Sequence, residues 1–223
     1  MCVVDARRCV SGYTNVCLPP SLSLSAGAVW KTCNVEKDSS VAVFGLGAVG
    51  LAVIQAAKVR GARRIFAIDI NPAKFEMATQ LGATDCIDSA NLPTGTTIVQ
   101  HIVSMTQWGV DYTFDATGNV GVMRAALECA HRGWGVSCVI GVAPAGHEIA
   151  TRPFQLVTGR AWTGTAFGGF KSRTEVPLLV EQYLDGTLPI DHYVTHSFKG
   201  VESVEEAMHL LHDGKCLRAV VNY

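Results

Sequence analysis

Short apolar runs recur along this chain from residue 41 onward, and stretches with a helical period separate them. The runs cover residues 41–44, 65–70, 110–114 and 136–142. Runs of this kind are typical of strands that a parallel sheet buries on both of its faces. We therefore predict four strands of one parallel sheet at these positions.

Helices are predicted between these strands, each with an apolar stripe at a spacing of three or four residues. The three stripes consist of Val49, Val53 and Ala56, of Phe75, Ala78 and Leu81, and of Val122, Met123, Ala126, Leu127 and Ala130. The second helix has Asn71 as a candidate N-cap, Pro72 in its first turn and Gly82 at its end. This alternation predicts an α/β fold with a doubly wound parallel sheet, the Rossmann dinucleotide-binding architecture.

The alternation of apolar runs and helical stripes is less regular after residue 142. A short helix is predicted at 153–159 and a strand at 161–167. Amphipathic helices follow at 176–184 and 202–211, and a last strand at 217–221. These elements extend the α/β pattern to the end of the sequence.

The first thirty residues show neither a helical nor a strand period. They include the pair Pro19-Pro20 and the sequence SLSLS at 21–25. We expect this segment to be poorly ordered.

Charge and hydropathy exclude several classes of protein. The 223 residues are 48% hydrophobic and 17% charged, with a net charge of -1. Nucleic-acid binding normally requires a clustered basic face, and the sequence has none, so we expect no nucleic-acid partner.

The uncharged stretch 39–57 is broken by Gly45, Gly47 and Gly50. Its apolar part is too short for a membrane span, and we expect a strand, a turn and a helix there and no membrane partner.

The number and spacing of the cysteines indicate the cellular compartment and whether a metal site is present. The 8 cysteines include no CxxC pair, which argues against a compact zinc lobe. Cys86 and Cys138 lie within apolar runs, so we expect both thiols to be reduced and buried. With no signal-peptide pattern at the start, the expected location is the cytoplasm.

A glycine motif follows the first predicted strand directly. It has the form GxGxxG and consists of Gly45, Leu46, Gly47, Ala48, Val49 and Gly50. In the dinucleotide-binding fold, Gly45 would allow the tight turn, Gly47 the approach of the pyrophosphate, and Gly50 close packing of helix and sheet. The N-terminus of the following helix would attract the phosphates.

Asp69 ends the second predicted strand. A carboxylate there accepts hydrogen bonds from a ribose diol and repels a 2′-phosphate, which favours NAD over NADP. The alternative is that Asp69 only caps the next helix, for which Asn71 is better placed.

Other motifs and residue groups give weaker evidence for catalysis or metal binding. The sequence has no phosphate-binding loop of the GxxxxGK[ST] type and no GxSxG nucleophile motif. Glu205, His209 and His212 share a helix face and His192 and His196 lie close in sequence, but solvated surfaces explain both groups better than metal binding. We predict no catalytic residue and no metal ligand within this chain.

From about residue 27 to residue 223 the chain resembles the C-terminal part of the zinc-dependent, medium-chain alcohol dehydrogenases. It is most similar to class III, the S-(hydroxymethyl)glutathione dehydrogenases, also called glutathione-dependent formaldehyde dehydrogenases. The resemblance is carried by VAVFGLGAVGLAV (41–53), DINPAKF (69–75), GNVGVMRAALE (118–128), HRGWG (131–135), ATRPFQLVTGR (150–160), FGGFKS (167–172) and DGKCLRAVV (213–221).

The resemblance implies NAD-linked oxidation of S-hydroxymethylglutathione and primary alcohols, a step of formaldehyde detoxification, with zinc assisting hydride transfer. It also implies S-nitrosoglutathione reduction and a homodimer.

By the same resemblance, Gly45 to Gly50 contact the pyrophosphate, and Asp69 and Lys74 contact the adenosine ribose. Val49 would back the nicotinamide, and Arg218 would neutralise a pyrophosphate oxygen unless it is only a surface cation. The carboxamide side of the nicotinamide would be held by Ile140, Gly141, Val142, Thr165 and Phe167.

The catalytic domain of that family, with its zinc ligands, is not matched. The position expected for the last zinc-ligand cysteine is Pro20, with Cys17 three residues away, and the threonine expected beside the nicotinamide is Leu24. We expect a remnant of the catalytic domain at 1–30, an NAD-binding domain at 31–170 and a segment returning to the catalytic domain at 171–223.

On this basis the chain is the coenzyme-binding part of such a dehydrogenase and is expected to be inactive by itself. Two alternatives remain open. The chain could be a non-enzymatic NAD-binding protein or the pairing partner of a full-length paralogue, or else a zinc-free reductase of the same superfamily.

Overall fold

The computed structural model describes residues 2–3 and 20–222, with no side-chain description for residues 2–3, 20–22 and 172. The chain forms two compact units. One consists of residues 24–169, and the other of residues 1–23 and 170–223. The strands are β1 (Cys2–Val3), β2 (Ser40–Phe44), β3 (Arg64–Asp69), β4 (Asp85–Asp88), β5 (Tyr112–Asp115), β6 (Val136–Val139), β7 (Ala161–Gly164), β8 (His196–Lys199) and β9 (Ala219–Asn222).

The helices include eight α-helical segments among the described residues, together with short turns of 3₁₀ and π geometry. The α-helices are α1 (Pro20–Gly27), α2 (Ala48–Val59), α3 (Phe75–Gln80), α4 (Ile98–Thr106), α5 (Val120–Cys129), α6 (Pro153–Val157), α7 (Ser172–Leu184) and α8 (Val204–His212). A π-helical turn spans Ala28–Thr32, and 3₁₀ turns span Pro72–Lys74, Asp191–Tyr193 and Val201–Ser203.

The larger unit is built on a six-stranded, fully parallel sheet with the strand order β4-β3-β2-β5-β6-β7. The chain runs outward from β2 to β4 on one side, then returns to β5 and runs outward to β7. The carboxyl ends of β2 and β5 therefore flank the point where the winding reverses, which is where open α/β sheets bind their ligands. The predicted doubly wound sheet is confirmed.

Alternate residues of β2 face opposite sides of the sheet, and both sides are covered. Ala42 and Phe44 belong to an apolar cluster that includes Ile102 of α4 and Ala126 of α5. Val43 faces the other side, toward α2 at Gly50. Burial on both faces explains why the strands read as nearly continuous apolar runs.

The predicted strands are present, but two of them end three residues earlier than the apolar pattern suggested. β6 stops at Val139 rather than at residue 142: the N–H of Ile140 makes the last ladder hydrogen bond, to the carbonyl of Asp115, and the N–H of Gly141 donates to that same carbonyl instead of extending the ladder. β7 stops at Gly164 rather than at residue 167. These shortened ends lie on the ligand-binding side of the sheet.

The sequence did not reveal β4, α4 and β8. β4 is a short edge strand that begins and ends with aspartate, so it lacks an apolar run. α4 carries a sequence signal nonetheless: Thr97 and Gln100 form a reciprocal capping box at its start.

Residues 20–32 are helical, although no period marks them in the sequence. Within the larger unit, Ala26, Ala28 and Val29 are fully buried. The Ser25 hydroxyl donates to the carbonyl of Val49 at 2.9 Å, and Trp30 Nε1 donates to the carbonyl of Ala56 at 3.0 Å. Packing against α2 therefore orders this segment. Residue 1 and residues 4–19, also expected to be poorly ordered, lie outside the described residues.

Of the two cysteines predicted to be buried, one is buried and the other is exposed. Cys138 in β6 is buried, as predicted, whereas Cys86 in the edge strand β4 is exposed, so that prediction was wrong. In this short strand Ile87 is buried on one face, and Cys86 lies on the other face, which reaches solvent. Hydrogen bonding with Cys138 and burial raise the pKa of the Cys33 thiol, so it is protonated at neutral pH.

The smaller unit contains a parallel sheet with the strand order β1-β9-β8. Its apolar cluster includes Ala207 of α8 and Cys216, Ala219 and Val221 near the end of the chain. Across the described part of both units, no helix is long and apolar enough to cross a membrane.

An ion pair joins β3 to β4 and makes stability depend on pH. Arg64 Nη2 lies 2.8 Å from Asp85 Oδ1, and Arg64 Nε donates to Asp85 Oδ2 at 3.0 Å. This bidentate contact lowers the pKa of Asp85 from 3.8. A carboxyl whose pKa is lower in the folded state stabilises the protein above its unfolded pKa, and that contribution is lost as the pH falls through the folded value.

We expect Asp85→Asn to lower the free energy of unfolding at pH 7 by about 0.5–1 kcal/mol, since the pair is partly exposed to solvent. Thermal unfolding of both proteins at pH 7 and at about pH 2.5 measures this. The difference between them should shrink as the pH falls through the lowered pKa of Asp85, because the carboxyl of the unmodified protein then becomes protonated as well. A difference that stays constant with pH would contradict the ionic origin.

Candidate functional site

The turn between β2 and α2 is shaped by its three motif glycines. Gly45 has φ of +90°, a conformation that side chains disfavour, and its N–H donates to the carbonyl of Ile68 at 2.8 Å. A Cβ on Gly50 would overlap the carbonyl oxygen of Gly45. A Cβ on Gly47 would meet no atom within 4 Å. The turn therefore leaves open space at Gly47 while it packs tightly at Gly45 and Gly50.

The N-terminus of α2 faces this open space. Its N-cap is Gly47, and no described side chain caps the first turn. The backbone N–H groups at the start of α2 are thus available to an external acceptor. Unpaired N–H groups and the positive end of the helix dipole together favour a phosphate at this position.

Asp69 lies at the carboxyl end of β3 and binds this turn directly. Its Oδ2 accepts a hydrogen bond from the N–H of Leu46 at 2.7 Å, and its Oδ1 accepts one from the N–H of Asn71 at 2.9 Å. Lys74 Nζ lies 3.1 Å from Oδ2. Asn71 is the residue that caps the following 3₁₀ turn, by accepting from the N–H of Ala73. The alternative that Asp69 serves as that cap is therefore not supported.

A cavity of about 690 Å³ lies beside Asp69 at the carboxyl ends of β2, β3 and β5. Gly45, Leu46 and Gly47 line it together with Asp69 and Lys74. It also contacts Ile70, Ser89, Leu92, Thr96, Thr97, Ile98, Thr117, Asn119 and Val122. One end is thus rich in backbone N–H groups and carries a carboxylate, and the other end is mainly apolar. That polarity suits a phosphate and a sugar at one end and a flat apolar ring at the other.

Several of these lining residues were not singled out from the sequence. Ser89 follows the missed strand β4, and Leu92 and Ile98 lie between β4 and α4. Thr117 and Asn119 follow β5, and their position after a strand of a parallel sheet was the available signal. Asn119 also caps α5, by accepting from the N–H groups of Gly121 and Val122.

Five further predicted residues follow β6 and β7 and do not line this cavity; they are Ile140, Gly141, Val142, Thr165 and Phe167. Ile140 is buried, whereas Val142 and Phe167 are 91% and 63% exposed. Gly141 packs so closely on Gly118 that a Cβ would overlap its backbone nitrogen. The N–H of Thr165 donates to the carbonyl of Val139 at 3.3 Å. These residues border the carboxyl edge of the sheet beyond β5.

The remaining predicted residues lie in two places. Ala48, Val49 and Gly50 form the first turn of α2 and do not line the cavity. Arg218 belongs to the smaller unit, directly before β9. Its Nε is buried without a hydrogen-bond partner among the described residues, while its carbonyl accepts from the N–H of Thr195.

The histidines weighed as metal ligands are dispersed. His209 Nε2 lies 3.9 Å from Glu205 Oε1, and both side chains are mostly exposed. Burial lowers the pKa of His192 from 6.5, and His196 Nδ1 lies 3.0 Å from Thr195 Oγ1. Within residues 2–3 and 20–222, no three or more His, Cys, Asp or Glu side chains group closely enough to hold a metal ion.

The chain matches the family model described as zinc-binding dehydrogenase over residues 48–184. It is 56% identical over 197 residues to the S-(hydroxymethyl)glutathione dehydrogenase of Photobacterium damsela subsp. piscicida, which covers 88% of this chain and 53% of that protein. It is 53% identical over 214 residues to the S-(hydroxymethyl)glutathione dehydrogenase of Synechocystis sp., with coverage of 96% and 57%. The class-3 alcohol dehydrogenase of Oryza sativa subsp. japonica is 54% identical over 200 residues, with coverage of 90% and 52%.

Solved structures agree with this similarity. An alcohol dehydrogenase zinc-binding domain protein from Burkholderia ambifaria has a TM-score of 0.81 at 31% identity, covering 91% of this chain and 53% of that one. The benzyl alcohol dehydrogenase of Acinetobacter calcoaceticus also has a TM-score of 0.81, at 28% identity, with coverage of 93% and 59%. The chain spans about half the length of the curated relatives it matches.

Proposed function

Since this chain belongs to the zinc-binding dehydrogenase family, we propose that it is the coenzyme-binding part of an NAD-dependent alcohol dehydrogenase. Its substrates would be S-(hydroxymethyl)glutathione and other primary alcohols, as the names of its relatives suggest. One observation carries the proposal. The glycine turn, the uncapped start of α2 and Asp69 meet around a single cavity at the point where the sheet reverses its winding.

The residues present fit a dinucleotide. The open space at Gly47 admits the pyrophosphate, which would accept hydrogen bonds from the N–H groups at the start of α2. Asp69 would accept hydrogen bonds from the adenosine ribose, and Lys74 would hold the carboxylate in place through its 3.1 Å contact. The apolar end of the cavity, with Leu92 and Ile98, would take the adenine ring.

The other predicted residues keep their roles within the proposal. Val49 would lie behind the nicotinamide, and Ile140, Gly141, Val142, Thr165 and Phe167 would hold its carboxamide side. Arg218 would neutralise a pyrophosphate oxygen. NAD, when bound, supplies the hydride acceptor. The position of 140–142 and 165–167 at the carboxyl edge of the sheet supports the role of the five carboxamide-side residues.

Zinc is the second cofactor of the family, but the described residues do not fit it. They bring no suitable group of ligands together, and Pro20 stands where a cysteine ligand was expected. The role proposed for the described residues is therefore coenzyme binding, and no chemical step is assigned to a metal ion held by them.

The partner and the location also belong to the proposal. Within the part of the chain that the structure describes, β7 pairs with β6 alone, so the sheet ends at β7. A homodimer, or pairing with a full-length paralogue, would use such an edge. The proposed location is the cytoplasm.

A second candidate function is binding without catalysis. The larger unit carries a complete glycine turn and cavity by itself, which is what a non-enzymatic NAD-binding protein requires. A zinc-free reductase, the third possibility, lacks such a supporting observation. Zinc-independent turnover of NAD with S-(hydroxymethyl)glutathione by this chain would indicate the reductase. Binding of NADH without turnover is expected for the other two functions, and co-purification with a full-length dehydrogenase would favour the pairing partner.

A titration of the full chain with NADH, followed by nicotinamide fluorescence, tests the coenzyme role. We expect saturable binding with a Kd weaker than about 10 µM, or roughly −7 kcal/mol, because the nicotinamide residues lie outside the formed cavity. NADPH serves as the matched control and should bind at least about tenfold more weakly, since Asp69 repels its phosphate. A folded, monodisperse sample that gives no saturable signal would refute the coenzyme role.

A further inference from the structure

A second cavity lies at the opposite edge of the larger unit. It measures about 600 Å³ and is lined by Trp108, His131, Arg132, Trp134 and Thr158. These residues belong to the connections that precede β5, β6 and β7. In a parallel sheet, those connections lie at the amino ends of the strands, whereas the coenzyme cavity lies at the carboxyl ends. The two cavities are therefore separate.

The walls of this cavity are held by backbone hydrogen bonds. The N–H of Arg132 donates to the carbonyl of Trp108 at 3.1 Å, and the N–H of His131 donates to the carbonyl of Val110 at 2.7 Å. A Cβ on Gly159 would overlap the carbonyl oxygen of Gly133, so the connections before β6 and β7 are also in tight contact. The cavity is part of the folded framework.

The side chain of Trp134 is itself held in place by a hydrogen bond and by ring stacking. Trp134 Nε1 donates to Asp111 Oδ1 at 2.9 Å, and Asp111 Oδ2 accepts from the N–H and the hydroxyl of Ser40. The ring of His131 stacks on Trp134 with centroids 3.5 Å apart and an interplanar angle of 19°. The indole is therefore oriented before any ligand arrives.

The aromatic rings at this edge are unusually exposed. Trp108 and Trp134 are 60% and 61% exposed, and the nearby Phe154 is 62% exposed. The guanidinium of Arg132 lies 5.3 Å from the centroid of the Phe154 ring. Large aromatic surfaces that stay in water on a folded unit often mark a binding site. A ligand that stacks on these rings would cover them.

Arg132 carries the one charge among the residues that line this cavity at pH 7. Arg132 forms no ion pair among the residues the structure describes, and no carboxylate lines the cavity. Burial lowers the pKa of His131, so its ring is neutral at pH 7 and contributes aromatic surface rather than charge. Among the described residues, the one carboxylate bonded to a wall residue is Asp111, which already accepts three hydrogen bonds, from Ser40 and Trp134. An anion would find an unpaired guanidinium here.

We propose that this cavity binds a small planar aromatic anion, whose ring stacks on Trp108 and Trp134 and whose negative group pairs with Arg132. Indole faces and a guanidinium fork recognise that combination of a ring and an acidic group. The inference does not depend on the coenzyme role, because the two cavities lie at opposite edges of the sheet.

Indole N–H signals in ¹⁵N-correlated NMR spectra of the full chain test the proposal, since there are only 4 tryptophans. The probe is 2-naphthalenesulfonate, added in the presence of saturating NADH so that the coenzyme cavity is occupied. The uncharged control ligand is 2-naphthalenemethanol. We expect the signals of Trp108 and Trp134 to shift saturably while those of Trp30 and Trp162 stay, and the sulfonate to bind at least about tenfold more tightly than the alcohol.

Arg132→Gln should weaken sulfonate binding about tenfold and leave the binding of the alcohol unchanged. The matched control is Arg63→Gln, which removes an exposed arginine outside the cavity and should change neither affinity. The Tm of both variants reports whether the fold is intact without relying on NADH, so a failure here is distinct from a failure of the coenzyme role. Equal affinity for the two probes, no effect of Arg132→Gln, or indole shifts that depend on protein concentration alone, as in self-association, would each overturn the proposal.

Discussion

Gly50→Ala is expected to destabilise the larger unit strongly and to abolish NADH binding. A Cβ at this position would overlap the carbonyl oxygen of Gly45. That oxygen belongs to the backbone of a tight turn, so it has no rotamer by which to move aside. Overpacking of this kind costs about 3 kcal/mol, which corresponds to a decrease in Tm of about 6–12 °C for a chain of this size.

Calorimetry and the NADH titration measure the two effects together. Gly47→Ala is the matched control, because a Cβ there meets no atom within 4 Å and the backbone conformation at Gly47, with φ of −80°, suits any residue. We expect this control to keep its Tm and yet lose at least about tenfold in NADH affinity, since the methyl group enters the space where the pyrophosphate would lie. Equal Tm values for the two variants would contradict the packing role of Gly50, and unchanged NADH affinity in Gly47→Ala would contradict the location of the phosphate.

Asp69→Ser is expected to narrow the preference for NADH over NADPH by at least about tenfold, or 1.4 kcal/mol. The carboxylate is only 8% exposed and holds three contacts, with the N–H groups of Leu46 and Asn71 and with Lys74. Serine removes the charge that repels a 2′-phosphate and leaves the lysine free to attract it. The buried N–H of Leu46 also loses its acceptor, which costs about 1–3 kcal/mol of stability.

The ratio of the two affinities, measured in the same variant, separates specificity from general damage to the site. Loss of stability weakens both coenzymes alike, whereas loss of the carboxylate acts on their ratio. Glu76→Ser removes an exposed carboxylate from nearby α3 and should leave the ratio as it is. A ratio that Asp69→Ser does not change would refute the role of Asp69 in coenzyme choice.

The sequence predicted the centre of the sheet better than its edges. β2 and β3 are buried on both faces, so their apolar runs marked them clearly. β4 lies at an edge, where one face meets solvent and aspartates are tolerated, so no run marked it and Cys86 was placed wrongly. The helix at 20–32 was missed because it is ordered by packing on α2, through Ser25 and Trp30, and not by a stripe of its own.

The residues of the candidate site also divide into those that the sequence predicted and those that it did not. The glycine motif and Asp69 could be predicted, because a tight turn and a strand end require those residue types at a fixed spacing. Leu92 and Ile98 could not, because their place in the cavity depends on which strands become neighbours. The second cavity was not predicted for the same reason: Trp108, Trp134 and Thr158 come together only because β5, β6 and β7 lie side by side.

By itself the sequence determined the class of fold, the membership of a dehydrogenase family and the turn that would hold the pyrophosphate. The class of fold and the turn depend on local spacing, since periodicity, turn geometry and helix capping involve residues close together in the chain, whereas the family followed from the resemblance of whole segments. The tertiary structure alone decided where β6 and β7 end, which side chains line each cavity and how Asp69 is bonded to Leu46. These depend on contacts between residues far apart in sequence, such as the carbonyl of Asp115 with the N–H of Ile140, and such contacts exist only once the sheet has assembled.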